Sequence, residues 1–207
     1  KSSGRIYRMH AKDAKPSKSF NYGKLSTTEL LNLLGHPNKW HRQTAQRLIA
    51  DRRNASIVPD LTREFMNLKG QGALEIFWAI NHSGGFTPKF AEKTLTHANP
   101  FVRFWTIRLL GDSHLMTPTL RTQLTALAGS EPNAAVRSCL AASCKRWAAK
   151  DSFPTLKQLI RRDADVKDKH IPLLIWWAIE DKSTTDVTEV TKLLRDPNLW
   201  KMPMMQQ

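Results

Sequence analysis

Residues 36–48 read HPNKWHRQTAQRL, residues 97–109 read HANPFVRFWTIRL, and residues 131–143 read EPNAAVRSCLAAS. In each stretch a polar residue and a Pro-Asn or Asn-Pro pair precede an arginine, and small or apolar residues follow at helical spacing. The aligned arginines are Arg42, Arg103 and Arg137. A phrase that returns in this way marks a repeat architecture, in which each unit buries its apolar stripe against its neighbours. It also favours a surface that holds other molecules over a catalytic cleft.

Working outward, the helical pattern extends over residues 25–207. Ser26-Thr-Thr-Glu29 has capping-box spacing, with a hydroxyl at the cap and a carboxylate three residues on. Leu30, Leu31, Leu33 and Leu34 then supply an apolar face, and Gly35-His36-Pro37 ends the helix before Asn38 caps the next. The same two-helix unit recurs. First helices are expected to start near Ser26, Val58, Thr87, Thr117, Phe153 and Asp186, at intervals of 32, 29, 30, 36 and 33 residues. Second helices are expected near Asn38, Gly72, Pro100, Pro132 and His170. Pro59, Pro88, Pro100, Pro118, Pro132, Pro154 and Pro172 read as helix openings or turns, because a first-turn proline loses no hydrogen bond. The sixth unit carries no second helix in this reading. The fold class is all-α, a right-handed α-solenoid of five to six helical hairpins with a short N-terminal extended segment.

Residues 1–24 differ. Gly4-Arg-Ile-Tyr-Arg-Met9 reads as one short strand, and Lys12 to Lys24 as a Lys, Ser and Pro linker. The chain of 207 residues is 41% hydrophobic, enough for a packed core. Its formal net charge is +14, of which residues 1–24 carry +6, so the helical part is basic without a dense block. Two readings of that charge stand: a solvated basic surface, or a face that binds a polyanion. The longest apolar run, Ile171–Ile179, is about half of the ~20 residues a bilayer span requires, so no membrane span is expected.

Few residues invite chemistry. Cys139 and Cys144 lie on different faces of one expected helix and read as buried thiols rather than a bridge. Seven histidines make no H-x-x-x-H pair, so no metal site is expected. No Gly-rich phosphate loop and no G-x-S-x-G elbow occurs. Asp163, Asp165 and Asp168 read as loop acids that favour a helix N-terminus. Trp78, Trp105 and Trp147 are expected on second helices in the core. Trp176 and Trp177 are adjacent and point about 100° apart, so that helix is either covered on two sides or presents an exposed contact anchor. Leu174→Ala is expected to cost ~2–5 kcal/mol as a buried position.

In HEAT repeats an arginine of this kind commonly pairs with an Asp six residues earlier in the same or the next repeat, and the pairs stack into a ladder. Here those positions hold His36, His97 and Glu131, which predicts a partial ladder at best, with the arginines bonded to turn carbonyls or neighbouring carboxylates. The alternative is a row of ligand-facing guanidinium groups. GRIYR (4–8), LSTTELLNLLGHPNKWHRQTAQRL (25–48), NPFVRFWTIRLLGD (99–112) and DADVKDKHIPLLIWWAIE (163–180) together resemble the HEAT-like segment of planctomycete and verrucomicrobial (PVC-type) membrane-bound dehydrogenase or haem-binding proteins. The resemblance implies a β-propeller dehydrogenase domain before this segment and a cytochrome c domain after it. It implies placement in the periplasm or cell envelope, and no catalytic residue or cofactor in the segment itself. The function expected on these grounds is a non-catalytic scaffold or interdomain spacer within a redox protein. The competing expectation is nucleic-acid or polyanion binding on a basic concave face, as in HEAT-like DNA glycosylases. Candidate contact residues are Arg42, Arg47, Arg103, Arg108, Arg137, Arg146, Trp176 and Trp177, with Lys145 beside them.

Overall fold

A computed structural model describes residues 4, 7, 9–13, 15 and 20–206. The strand expected over Gly4–Met9 turns on Arg5, Ile6 and Arg8, which lie outside the described residues. Thirteen α-helices and no strand occur among the described residues. The first helices of the pairs are α1 (Thr27–Leu33), α3 (Val58–Phe65), α5 (Pro88–Thr94), α7 (Pro118–Ser130), α9 (Ala149–Ile160) and α11 (Val187–Leu194). The second helices are α2 (Lys39–Arg52), α4 (Gly70–His82), α6 (Pro100–Ser113), α8 (Ala134–Cys144) and α10 (Ile171–Lys182). Two single turns, α12 (Pro197–Trp200) and α13 (Pro203–Gln206), stand where the sixth unit was expected to have no second helix.

Side chains fix these boundaries. The Ser26 capping box forms in full, with the Ser26 hydroxyl accepting from the Glu29 amide at 3.2 Å and Glu29 accepting from the Ser26 amide at 2.7 Å. Asn38, Asn99 and Asn133 cap α2, α6 and α8, and Thr87 and Thr117 cap α5 and α7. The fifth pair departs from expectation. Its first helix starts at Ala149, not Phe153, and its cap, Ala148, contributes no side-chain bond. Pro154 therefore lies inside α9 rather than at its opening. With that start, the first helices begin at 27, 58, 88, 118 and 149, so the first four intervals are 30 or 31 residues. Gly70, not Gly72, opens α4, and Ala134 opens α8 after the Asn133 cap. Tyr22–Lys24, expected as linker, form a 3-10 turn docked on α2, where Arg52 donates to the carbonyls of Gly23 and Leu25.

The helices contact in two layers. α2 meets α4, α4 meets α6, α6 meets α8 and α8 meets α10, while α5, α7, α9 and α11 follow one another in the second layer. Two apolar clusters fill the space between layers. One runs from Leu30 to Val102, the other from Ala91 to Met204, and they adjoin at α5 and α6. Gly85 makes a tight approach possible, since a Cβ there would lie 2.6 Å from Val58 and 2.7 Å from Ile80. Trp147 sits in the turn after α8, not on a helix. It is buried, and its indole N–H donates to the Leu110 carbonyl at 3.3 Å, one of the last-turn carbonyls of α6 that has no partner in its own helix. Trp78 and Trp105 are only half-buried and meet edge to face at 5.5 Å. Leu174 is likewise half-buried; Ile175, one position on, takes the core place, so the cost expected of Leu174→Ala moves to Ile175.

Candidate functional site

The repeated phrase builds one device three times. Four residues after each Asn cap an arginine emerges near the start of α2, α6 and α8. Its Nη1 turns back onto the preceding turn: Arg42 donates to His36 and Pro37 carbonyls, Arg103 to those of His97 and Ala98, Arg137 to those of Glu131 and Pro132. The remaining donors reach forward to a carboxylate of the next unit. Arg42 Nε meets Glu75 at 2.9 Å. Arg103 forks onto Glu131 at 2.7 and 2.6 Å, and Arg137 forks onto Asp165 at 2.6 and 2.5 Å. Parallel N–H bonds of this kind match the planar guanidinium to a carboxylate.

Of the residues six before each arginine, only Glu131 takes the expected place in the ladder, as the carboxylate that Arg103 of the preceding unit meets, and all three share a second task. The backbone carbonyl of each receives the guanidinium, and its side chain accepts the backbone N–H of the Asn cap. His36 Nδ1 accepts from Asn38 at 3.0 Å, His97 Nδ1 from Asn99 at 3.0 Å, and Glu131 from Asn133 at 2.9 Å. Histidine and glutamate are equivalent here because each offers one acceptor at the same reach. Glu131 does both jobs and links two rungs. Burial acts to raise its carboxyl, but the Arg103 bonds, the Asn133 amide and the charges of Arg103 and Arg137 together hold it below the usual carboxylate range. The Asp165 bond in turn raises Arg137 above its ordinary value against burial. His97 is lowered, chiefly by burial.

Glu75 and Asp165 were missed as partners in the sequence. Glu75 is the one acid in the apolar run GALEIFWAI, and Arg42, Gln46 and Gln71 converge on it. Asp168 holds the place expected of a loop acid, accepting the His170 and Ile171 amides at the start of α10, which lower its carboxyl. α4 carries Ala73 where α2, α6 and α8 carry arginine, so no guanidinium leads from the second unit to the third. Asn99 Nδ2 donates to the Gly70 carbonyl there instead, at 3.0 Å.

The other candidates divide. Arg108 and Arg146 both reach Asp112, at 3.2 and 3.3 Å. Arg47 and Lys145 are exposed and make no ion pair among the described residues. Trp176 and Trp177 are 54% and 43% exposed, because α8, α9 and α11 cover α10 but leave its outer side open. Trp176 lines a groove of about 620 Å³ with Leu173, Leu194, Trp200 and Met204, and Asp168 and Lys169 stand at its rim. Both thiols are buried and unbridged. Burial pushes Cys139 up to about 11 and raises Cys144 further. No group of three metal-ligating side chains occurs among the described residues, and no described helix is long and apolar enough to cross a membrane.

No protein-family model, curated protein or solved structure matches the chain.

Proposed function

We propose that the chain is a right-handed, HEAT-like α-solenoid whose function is mechanical: a non-catalytic scaffold that holds its neighbours at a fixed distance. The observation that carries this reading is the forward reach of the arginines. Each ties its own turn to a carboxylate 28 or 33 residues on, so the first and second, third and fourth, and fourth and fifth units are joined by buried charge as well as by apolar packing. Joints of this kind resist bending, which a spacer requires. In keeping with the sequence resemblance, the proposed setting is a PVC-type envelope redox protein, between a β-propeller dehydrogenase and a cytochrome c domain. The polyanion reading loses weight because Arg42, Arg103 and Arg137, half of its six arginines, are already engaged inside the fold.

The test is a distance distribution by pulsed electron resonance between spin labels at Gln43→Cys and Glu180→Cys, both exposed sites on α2 and α10. A single narrow distribution is expected, broadened when Arg103→Gln and Arg137→Gln are combined. A broad distribution in the unaltered solenoid would refute the spacer. Titration with duplex DNA at two salt concentrations checks the rival, because phosphate binding weakens steeply with salt. For the proposed setting, the coding region on both sides should hold a propeller and a Cys-x-x-Cys-His motif.

A further inference from the structure

The turn between α3 and α4 and the turn between α5 and α6 enclose a groove of about 770 Å³, within the size range of ligand sites. Its walls are apolar. Phe65 and Leu68 line one side and Phe101 the other, while Met66 and Phe101 leave 56% and 54% of their surface in solvent. Exposed aromatic and Met side chains flanking a concavity are the usual composition of a contact surface.

The groove's charge has one sign. Lys69 and Lys93 line it, no carboxylate does, and neither lysine makes an ion pair among the described residues. The acid nearest along α4, Glu75, is taken by Arg42, Gln46 and Gln71. The chain's +14 adds a long-range field of the same sign. The Trp176 groove differs on this point, since Asp168 and Lys169 at its rim oppose each other and select no partner.

We infer that the α3–α6 groove docks an acidic peptide segment carrying an aromatic or aliphatic anchor. The anchor packs between Met66, Leu68 and Phe101, and flanking Asp or Glu side chains pair with Lys69 and Lys93. Duplex nucleic acid fits less well, because the exposed wall residues Met66 and Phe101 are apolar and Arg42, Arg103 and Arg137, which would follow a phosphate backbone, are bound inside the fold.

The probe is a pool of short fluorescent peptides in which Asp or Glu flank a Phe or Leu. Two companion pools replace the acids by Lys or the anchor by Ala. Binding by the first pool alone is expected, about tenfold weaker or more for Lys69→Glu with Lys93→Glu, and weaker again for Phe101→Ala. All three positions are surface-exposed, and circular dichroism checks that the fold is kept. Lys150→Glu with Lys167→Glu makes the same change of charge elsewhere on the surface and should leave binding within about threefold. Equal loss in both charge variants would overturn the inference, as would equal binding of the Ala-anchor pool. Duplex DNA that competes fully with the first pool, and loses binding in the same variants, would replace it with a polyanion surface.

Discussion

Glu131→Ala is the sharpest test of the ladder. The Glu131 side chain is 0% exposed and the Arg103 side chain 12%. The substitution removes the acceptor of three bonds: two from Arg103, at 2.7 and 2.6 Å, and one from the Asn133 amide at 2.9 Å. Arg103 keeps its two carbonyl partners but loses its counter-charge while still held out of water. Breaking one side of a buried pair costs about 3–5 kcal/mol. At the size of this chain that lowers Tm by roughly 6–20 °C. The exposed pair Arg63–Asp60 gives the comparison, with side chains 77% and 76% exposed; Asp60→Ala should cost about 0–1 kcal/mol. Arg103→Met combined with Glu131→Ala should be less damaging than the sum of the two single changes, by about 2 kcal/mol or more, because it removes the stranded charge as well. Urea unfolding followed by circular dichroism gives the energies. Hydrogen exchange should show the loss centred on α6 and α8, since repeat arrays open in segments. If Glu131→Ala matched Asp60→Ala, or if the singles simply added, the rung would hold nothing together.

Three further outcomes follow from the structure. Arg53 closes α2 at φ 47°, in the left-handed region where a Cβ is strained, and its side chain is exposed; Arg53→Gly should stabilise the chain by about 1 kcal/mol in urea unfolding, and a loss of stability would count against the cap. Burial lowers His97 and His82 below their ordinary 6.5, so the unfolded chain takes up protons first as pH falls. Their contribution is therefore complete above about pH 6.5 and declines below it, so the urea midpoint should be flat near neutrality and fall toward about pH 5.5; a rising midpoint would contradict the neutral-acceptor role of His97. Finally, Cys139 and Cys144 should resist a thiol reagent at neutral pH in the folded chain and both react in denaturant, whereas rapid native labelling of either would place it outside the core.

What the sequence reveals and what it conceals divide along one physical line, the distance over which a signal acts. Ser26, Asn38, Thr87 and Thr117 announce helix starts because a cap bonds an amide two or three residues away. The start of α9 stays hidden because Ala148 has no side chain to cap with, and Pro154, six positions into the helix, imitates an opening. Glu75 and Asp165 stay hidden for the opposite reason. Their partners lie 33 and 28 residues back, and nothing in the local pattern says which acid an arginine will meet. Trp176 beside Trp177 leaves two outcomes open in the sequence. Only the packing of α8, α9 and α11 decides that about half of each stays in solvent. The charge count is blind in the same way, since it weighs Arg137, buried against Asp165, the same as exposed Arg47.

The repeated phrase is best understood as a connector with two ends. The polar residue, the Asn cap and Nη1 of the arginine settle one turn; Nε and Nη2 bind the next unit. α4 has neither end of the connector, with Lys69 making no side-chain cap and Ala73 at the arginine's place, so the second unit hands no guanidinium forward. The apolar core does run across this junction, where Phe65 and Phe77 pack on Phe90 of α5, and the Leu30–Val102 and Ala91–Met204 clusters part only within the third pair. Of the two kinds of adhesion only the buried charge is missing between the second and third pairs, and on the spacer reading bending should concentrate there. The Lys69–Lys93 groove is walled by the turns on either side of that junction. A partner seated in it would touch both units and brace a joint that no guanidinium spans, so docking and stiffness would be coupled. In the spin-label experiment, the width that remains in the narrow distribution of the unaltered chain should arise at this joint, so the acidic peptide should reduce it further and leave that of the Lys69→Glu, Lys93→Glu variant unchanged.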